Sequence, residues 1–306
     1  MAEASPEAGR ARSSGAFARG GDEFDFRGIG WLGRDRAIST ALSAATFRDA
    51  RRAPPSAAPR AYLGLGENRP LGTVSTTPVD RGAAGGVTPG CDWPAAAWNH
   101  PIAATELNAA AALFGAGRAQ LLTDGAFTDT AIQTKPDLDA FRIVHFATHG
   151  LVTAPRDGCP ARPALLTSFG GAGSDGLLRF DEIFNLHLDA DLVVLSACDT
   201  AGAASLEATR EAGITNGGGQ ALDGLVRAFI AAGGRQVIAS HWPAPDDYRA
   251  TERLMGAFFA APPGTSQGAA LMAAERALMD DPDTSHPFYW AGFALIGDGA
   301  RPVVAH

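Results

Sequence analysis

Lysine is all but missing from this chain: Lys135 is the only one among 306 residues. That scarcity reads as genome composition rather than mechanism. The charge balance excludes more. Asp and Glu number 33 against 25 Lys and Arg, the net charge is −8 and the pI is near 5.3, which argues against nucleic acid as the main ligand. The arginines before residue 60 are interleaved with acids and prolines and read as a solvated tail. No run approaches the roughly 20 apolar residues that a membrane span needs. The opening MAEASPEAGRARSSGAF lacks the apolar stretch of a secretory signal. Cysteine is sparse as well: Cys91, Cys159 and Cys198 make an odd count with no CxxC spacing. A reducing cytoplasm fits these absences and would keep Cys198 available as a thiol.

What is present is an ordinary globular composition, 46% hydrophobic, enough for one large domain or two smaller ones. Residues 1–22, rich in Ala, Gly, Arg and Ser without periodicity, are expected to form a disordered tail. Residues 23–306 are expected to form the folded domain, with 23–135 as its N-terminal half and 136–300 carrying the chemistry. Apolar β-branched runs predict strands at AYLGLG (61–66), FRIVHFATHG (141–150), LVVLSAC (192–198), RQVIASH (235–241) and FALI (293–296), with shorter ones at 120–122 and in ALLT. Helical spacing marks 102–114, 127–135, 180–185, 220–232, 247–259 and 269–280. Strands alternating with helices predict an α/β sandwich with a mostly parallel central sheet.

Several motifs lack the context their chemistry demands. His145 and His149 are four apart, as in a zinc-protease helix, but residue 146 is Phe and the run is strand-like, so no metal is expected and His145 reads as a core histidine. GTSQG at 264–268 spells a serine-hydrolase elbow without a preceding strand, so Ser266 reads as a helix cap. Gly64 and Gly66 lack the third glycine of a dinucleotide fingerprint, and no P-loop occurs. The pair that survives is His149 and Cys198. Each ends a buried strand, and 198 − 149 = 49 residues separate them, close to the roughly 50 of a caspase-type pair. Parallel strands would bring both to the carboxyl edge of a sheet, where open α/β folds place their sites. An imidazole beside a thiol makes a thiolate near neutral pH, and the N–H groups of Gly150 and Cys198 could hold an oxyanion.

HFATHG, LVVLSACDT, GLVRAFIAAG, VIASHWPAPDD, ATERLM and HPFYWAGFALIGDG, with LGLGE and FDEIFNL, occur in an order that resembles the CHAT family, a bacterial branch of the caspase and separase group of cysteine peptidases. The resemblance runs from about Trp31 to Gly299. It implies a caspase-like three-layer α/β sandwich with a mostly parallel central sheet flanked by helices. It further implies a cysteine endopeptidase with His149 as base, Cys198 as nucleophile, Gly150 and Cys198 at the oxyanion, and no cofactor. A protein or peptide would be the substrate, and a protein partner the regulator. The alternative is a caspase-fold interaction module of weak or lost activity, since the helical-repeat region common in the family is missing here.

In the wider group the position two before the cysteine often lines the first specificity pocket, and metacaspases resemble one another in carrying Asp there. Here it is Ser196, a poor anchor for a basic side chain. Asp199, Asp246 and Asp247 could supply charge instead, although Asp199 and Asp247 are better read as turn and helix starts. Trp242 and Trp290 could wall a pocket, and core packing explains both better. The 154–176 loop, with Arg156 and Arg162, lies between base and nucleophile and could gate the site.

Overall fold

A computed structural model describes residues 25–304 except 73–90, 92, 94, 116, 152–158, 160–161, 171–172, 197–223, 243–244 and 246. The expected tail, together with Cys198, Asp199, Asp246 and Arg156, lies outside the described residues.

Short helices α1 (Leu32–Asp35) and α2 (Ala44–Arg52) lead into strand β1 (Arg60–Asn68). Then come α3 (Thr105–Phe114), β2 (Ala119–Asp124), α4 (Asp129–Gln133) and β3 (Phe141–Ala147). Three short strands follow, β4 (Gly150–Leu151), β5 (Ala164–Leu166) and β6 (Leu177–Arg179), and then α5 (Phe180–Phe184). The chain continues through β7 (Leu192–Ser196), α6 (Gly224–Ala231), β8 (Val237–Ser240), α7 (Ala250–Phe259), α8 (Gln267–Met279) and β9 (Phe293–Ile296).

The main sheet has six strands in the order β2-β1-β3-β7-β8-β9. Every pairing is parallel except the last, where β9 closes the edge antiparallel to β8. Strands covered on both faces need continuous apolar runs. FRIVHFA and LVVLS meet that demand, with only Arg142 among their residues not fully buried. Successive side chains alternate between faces. Leu63, Leu65, Val144, Phe146, Val193 and Leu195 face α5 and α6, packing on Phe180, Ile183 and Phe229. Tyr62, Ile143, Val194 and Ile238 face the other layer, built from α3, α7 and α8, and pack on Phe114, Leu254 and Phe258. The result is the expected three-layer sandwich.

Local chemistry sets the boundaries. Ser266, inside GTSQG, caps α8 by accepting from the Ala269 N–H at 3.2 Å. Gly233, with φ +111, ends the turn after α6. Gly66 is required by packing rather than by a cofactor, because a Cβ there would stand 2.3 Å from the Ala147 carbonyl oxygen and 2.9 Å from Leu107. The helix expected over 247–259 is interrupted: Tyr248 and Arg249 take positive φ, so a 3-10 turn at Asp247–Arg249 precedes α7. A second, antiparallel sheet β4-β5-β6 was not foreseen, its strands of two or three residues being too short to show a period. No described helix is long and apolar enough to cross a membrane.

Candidate active site

The β3–β7 register pairs Ile143 with Leu192 and Ala147 with Ser196, a constant offset of 49 residues (196 − 147 = 49). His149 follows two residues beyond Ala147 at the carboxyl edge of the sheet. Thr148 is pinned by its hydroxyl, which donates to the Leu166 carbonyl at 2.6 Å. The Leu166 N–H donates to the His149 carbonyl at 2.9 Å. His149 thus sits at the corner where the chain leaves the large sheet for the small one.

Its ring is held by a group that the residue pattern does not reveal. Nε2 lies 2.6 Å from the main-chain oxygen of His100. A carbonyl only accepts, so Nε2 carries the proton and, in the neutral ring, Nδ1 keeps its lone pair. His100 is itself well anchored. It follows the 3-10 turn Ala95–Asn99, whose Trp98 is fully buried and donates from Nε1 to the carbonyls of Thr167 (3.0 Å) and Gly176 (3.2 Å). Asn68 donates to the Trp98 carbonyl at 2.8 Å, and Asn99 accepts from the Leu71 N–H at 2.9 Å.

Two cysteines reinforce the same region. Cys91, just before that turn, forms a disulfide with Cys159, in the segment between β4 and β5. This pairing was not read from the sequence. Because the chain has three cysteines, Cys198 is left with no other cysteine of its own chain to bond.

Gly150 pairs with Leu165, and the bond from Leu166 N–H to the His149 carbonyl makes it a non-hydrogen-bonded pair. The Gly150 N–H therefore stands outside the β4–β5 ladder.

Ser196 is buried, and its hydroxyl donates to Glu106 Oε2 at 3.0 Å. Glu106, in the first turn of α3, brings Oε1 within 2.8 Å of His145 Nε2, an electrostatic contact without the angle of a hydrogen bond. A carboxylate oxygen that close requires a proton on Nε2, so Nδ1 accepts, and the Tyr62 hydroxyl donates to it at 2.8 Å. Burial, with the Glu106 charge adding to it, holds the Tyr62 hydroxyl well above its ordinary range, so it remains a donor. Tyr62–His145–Glu106–Ser196 thus forms a chain beneath the ends of β3 and β7, and His145 is a core histidine as expected, hydrogen-bonded at Nδ1 and in electrostatic contact at Nε2.

Glu106→Ala would strand the buried Ser196 hydroxyl and remove the carboxylate that faces His145 Nε2. The expected loss is about 2–4 kcal/mol in urea unfolding, against about 1 for Glu106→Gln, which keeps an acceptor. Equal losses in the two variants would show that the network does not hold the strand ends.

The remaining candidates divide. Trp242 packs on Gly292 and donates from Nε1 to the Phe288 carbonyl at 3.0 Å, and Trp290 is buried in the core. Asp247 opens the 3-10 turn before α7. Two cavities lined by described residues do not include His149.

A mostly parallel α/β sandwich with a carbonyl-oriented histidine at the carboxyl edge of its central sheet is a caspase-like fold. The sequence profile of the CHAT domain matches residues 16–298, and the chain belongs to the CHAT family. It is 32% identical over 190 residues to human tetratricopeptide repeat protein 28, covering 52% of this chain and 7% of that protein. The mouse protein of the same name is 33% identical over 129 residues, covering 41% and 5%. The chain thus spans only a small part of these relatives. Among solved structures, the Arg-specific cysteine proteinase gingipain R aligns with TM-score 0.45 at 12% identity, over 79% of this chain and 47% of that one. The complex of Porphyromonas gingivalis RgpB pro- and mature domains aligns with TM-score 0.46, also at 12% identity, over 79% and 48%.

Proposed function

We propose that the chain is a cysteine endopeptidase with His149 as general base and Cys198 as nucleophile. The observation that carries this reading is the β3–β7 register, whose 49-residue offset equals the separation of the two residues. The last pair of that register, Ala147 with Ser196, stands two residues before His149 and two before Cys198, which supports reading the two as neighbours at the same sheet edge. Nδ1 of His149 takes the thiol proton, and the thiolate adds to a peptide carbonyl. The N–H groups of Gly150 and Cys198 hold the oxyanion. The intermediate collapses with cleavage of the C–N bond, and the amine leaves with the proton from His149. Water, deprotonated by the same imidazole, then hydrolyses the thioester and restores the thiol. These steps call on no metal or organic cofactor, and a regulatory protein partner belongs to the same reading.

The relatives favour a second reading, an interaction module on a caspase-like fold, since both are tetratricopeptide repeat proteins by name. Peptidyl acyloxymethylketones separate the two. An endopeptidase is labelled at Cys198, found by peptide mass mapping, and Cys198→Ala loses all labelling while unfolding at the wild-type temperature. Absence of labelling across a library of first-position side chains, under reducing and non-reducing conditions, favours the module.

A further inference from the structure

On the α8 side of the molecule, where β9 closes the sheet, lies a cavity of about 380 Å³ that the proposed peptidase chemistry does not use. Its size is that of a small-molecule site, for which about 300 Å³ is the usual lower bound. Trp31, Leu271, Met272, Trp290 and Phe293 make its walls apolar, and one acid, Glu275, is set among them. Among the described residues Glu275 has neither a hydrogen bond nor an ion pair, and burial pushes its carboxyl up to about 8. A half-buried carboxyl against apolar walls is costly to ionise unless something comes to pair with it.

A second group points the same way. Trp31 and Trp290 meet edge to face with centroids 5.5 Å apart. The Trp290 indole N–H is satisfied by the Ser285 carbonyl at 3.0 Å, whereas Trp31 Nε1 is buried with no partner. Unpaired buried donors are rare in folded proteins and call for an explanation. The cavity therefore presents one group that wants a cation and aromatic faces that attract ammonium groups, and the buried Trp31 Nε1 of its wall lacks an acceptor.

We propose that this cavity is a binding site for an apolar primary amine bearing a hydrogen-bond acceptor, of the α-amino amide type. The ammonium pairs with Glu275, the oxygen accepts from Trp31 Nε1 and the hydrocarbon part covers the apolar walls. A lone carboxyl disfavours anions, and the apolar walls disfavour small hydrated cations.

Calorimetric titration of the full-length protein with L-phenylalaninamide, L-leucinamide and N-acetyl-L-phenylalaninamide tests the assignment. Both free amines are expected to bind with Kd below about 1 mM. The acetylated analogue, which has no charge, is expected to bind about 10-fold or more weakly. Glu275→Gln should lose a similar factor and Trp31→Phe a smaller one. No binding by either amine, or affinities untouched by Glu275→Gln, would overturn the site. Cys198→Ala is expected to bind as the wild type does, so the outcome is independent of peptidase activity.

Discussion

Replacing His149 with alanine should slow alkylation of Cys198 by an acyloxymethylketone about 10²- to 10⁴-fold at pH 7, the usual contribution of a positioned general base. The size follows from the thiol's protonation. Without a partner a thiol ionises near about 8.5, so little thiolate exists at neutral pH, and an adjacent imidazole changes that. The rate against pH should therefore differ in shape as well as in height. The wild type should retain reactivity on the acid side of neutrality, while His149→Ala should rise only as a free thiol ionises. His149→Gln is the sharper control, because its amide could still donate to the His100 carbonyl, now reached from Nε2 over 2.6 Å, yet cannot take a proton. It should label as slowly as the alanine variant while melting closer to the wild type. Wild-type rates in both would remove His149 from the chemistry and leave the thiol reactive for another reason.

The architecture was legible where burial forces a long unambiguous pattern. FRIVHFA and LVVLS could only be central strands, because both faces had to be apolar, and their register follows once they are parallel neighbours. Helices α3 and α8 were placed to within a few residues because their small and aliphatic residues repeat at helical spacing. The small sheet was not legible, since Gly150–Leu151 and Leu177–Arg179 carry too few residues for a period and take their form from contacts across the fold. The positive φ at Tyr248 and Arg249 was hidden for a similar reason: neither side chain advertises a left-handed backbone.

The candidate site divides along the same line. His149 stood out because a histidine ends a buried strand, and Gly150 because it follows at once. The His100 carbonyl could not stand out, since every residue carries one and only the path of residues 91–100 brings this one to Nε2. Ser196 was read as a weak pocket anchor, and the acid that its hydroxyl meets was not read at all. Its partner Glu106 is 90 residues away and looks like an ordinary acid in a first helical turn. The disulfide was missed because Cys91 and Cys159, 68 residues apart, have no spacing signature. Spacing in sequence reports on chemistry when both partners sit on neighbouring strands, and is silent when a loop supplies one of them.

Stability should fall as the pH is raised from about 4.5 to 8, and Glu275→Gln should remove a large part of that fall. The carboxyl has an ordinary value of 4.5 and is pushed up to about 8 by burial alone. A raised acid binds its proton more tightly in the folded chain, so unfolding releases a proton between those two values, and each pH unit there lowers stability. Below 4.5 the group is protonated in both states and contributes no slope; above 8 it is ionised in both and the cost is complete. The full shift would amount to roughly 5 kcal/mol at 1.36 per unit. The side chain is half-buried rather than sealed, so about 2–4 kcal/mol is the better expectation. His241 lines the same cavity. The measurement is therefore the difference between wild-type and Glu275→Gln urea-unfolding curves across pH, in which groups common to both proteins largely cancel. That difference should be small at pH 4 and greatest near pH 8, with the variant the more stable. Parallel curves for wild type and variant from pH 4 to 8 would show that Glu275 is solvated as an ordinary surface acid.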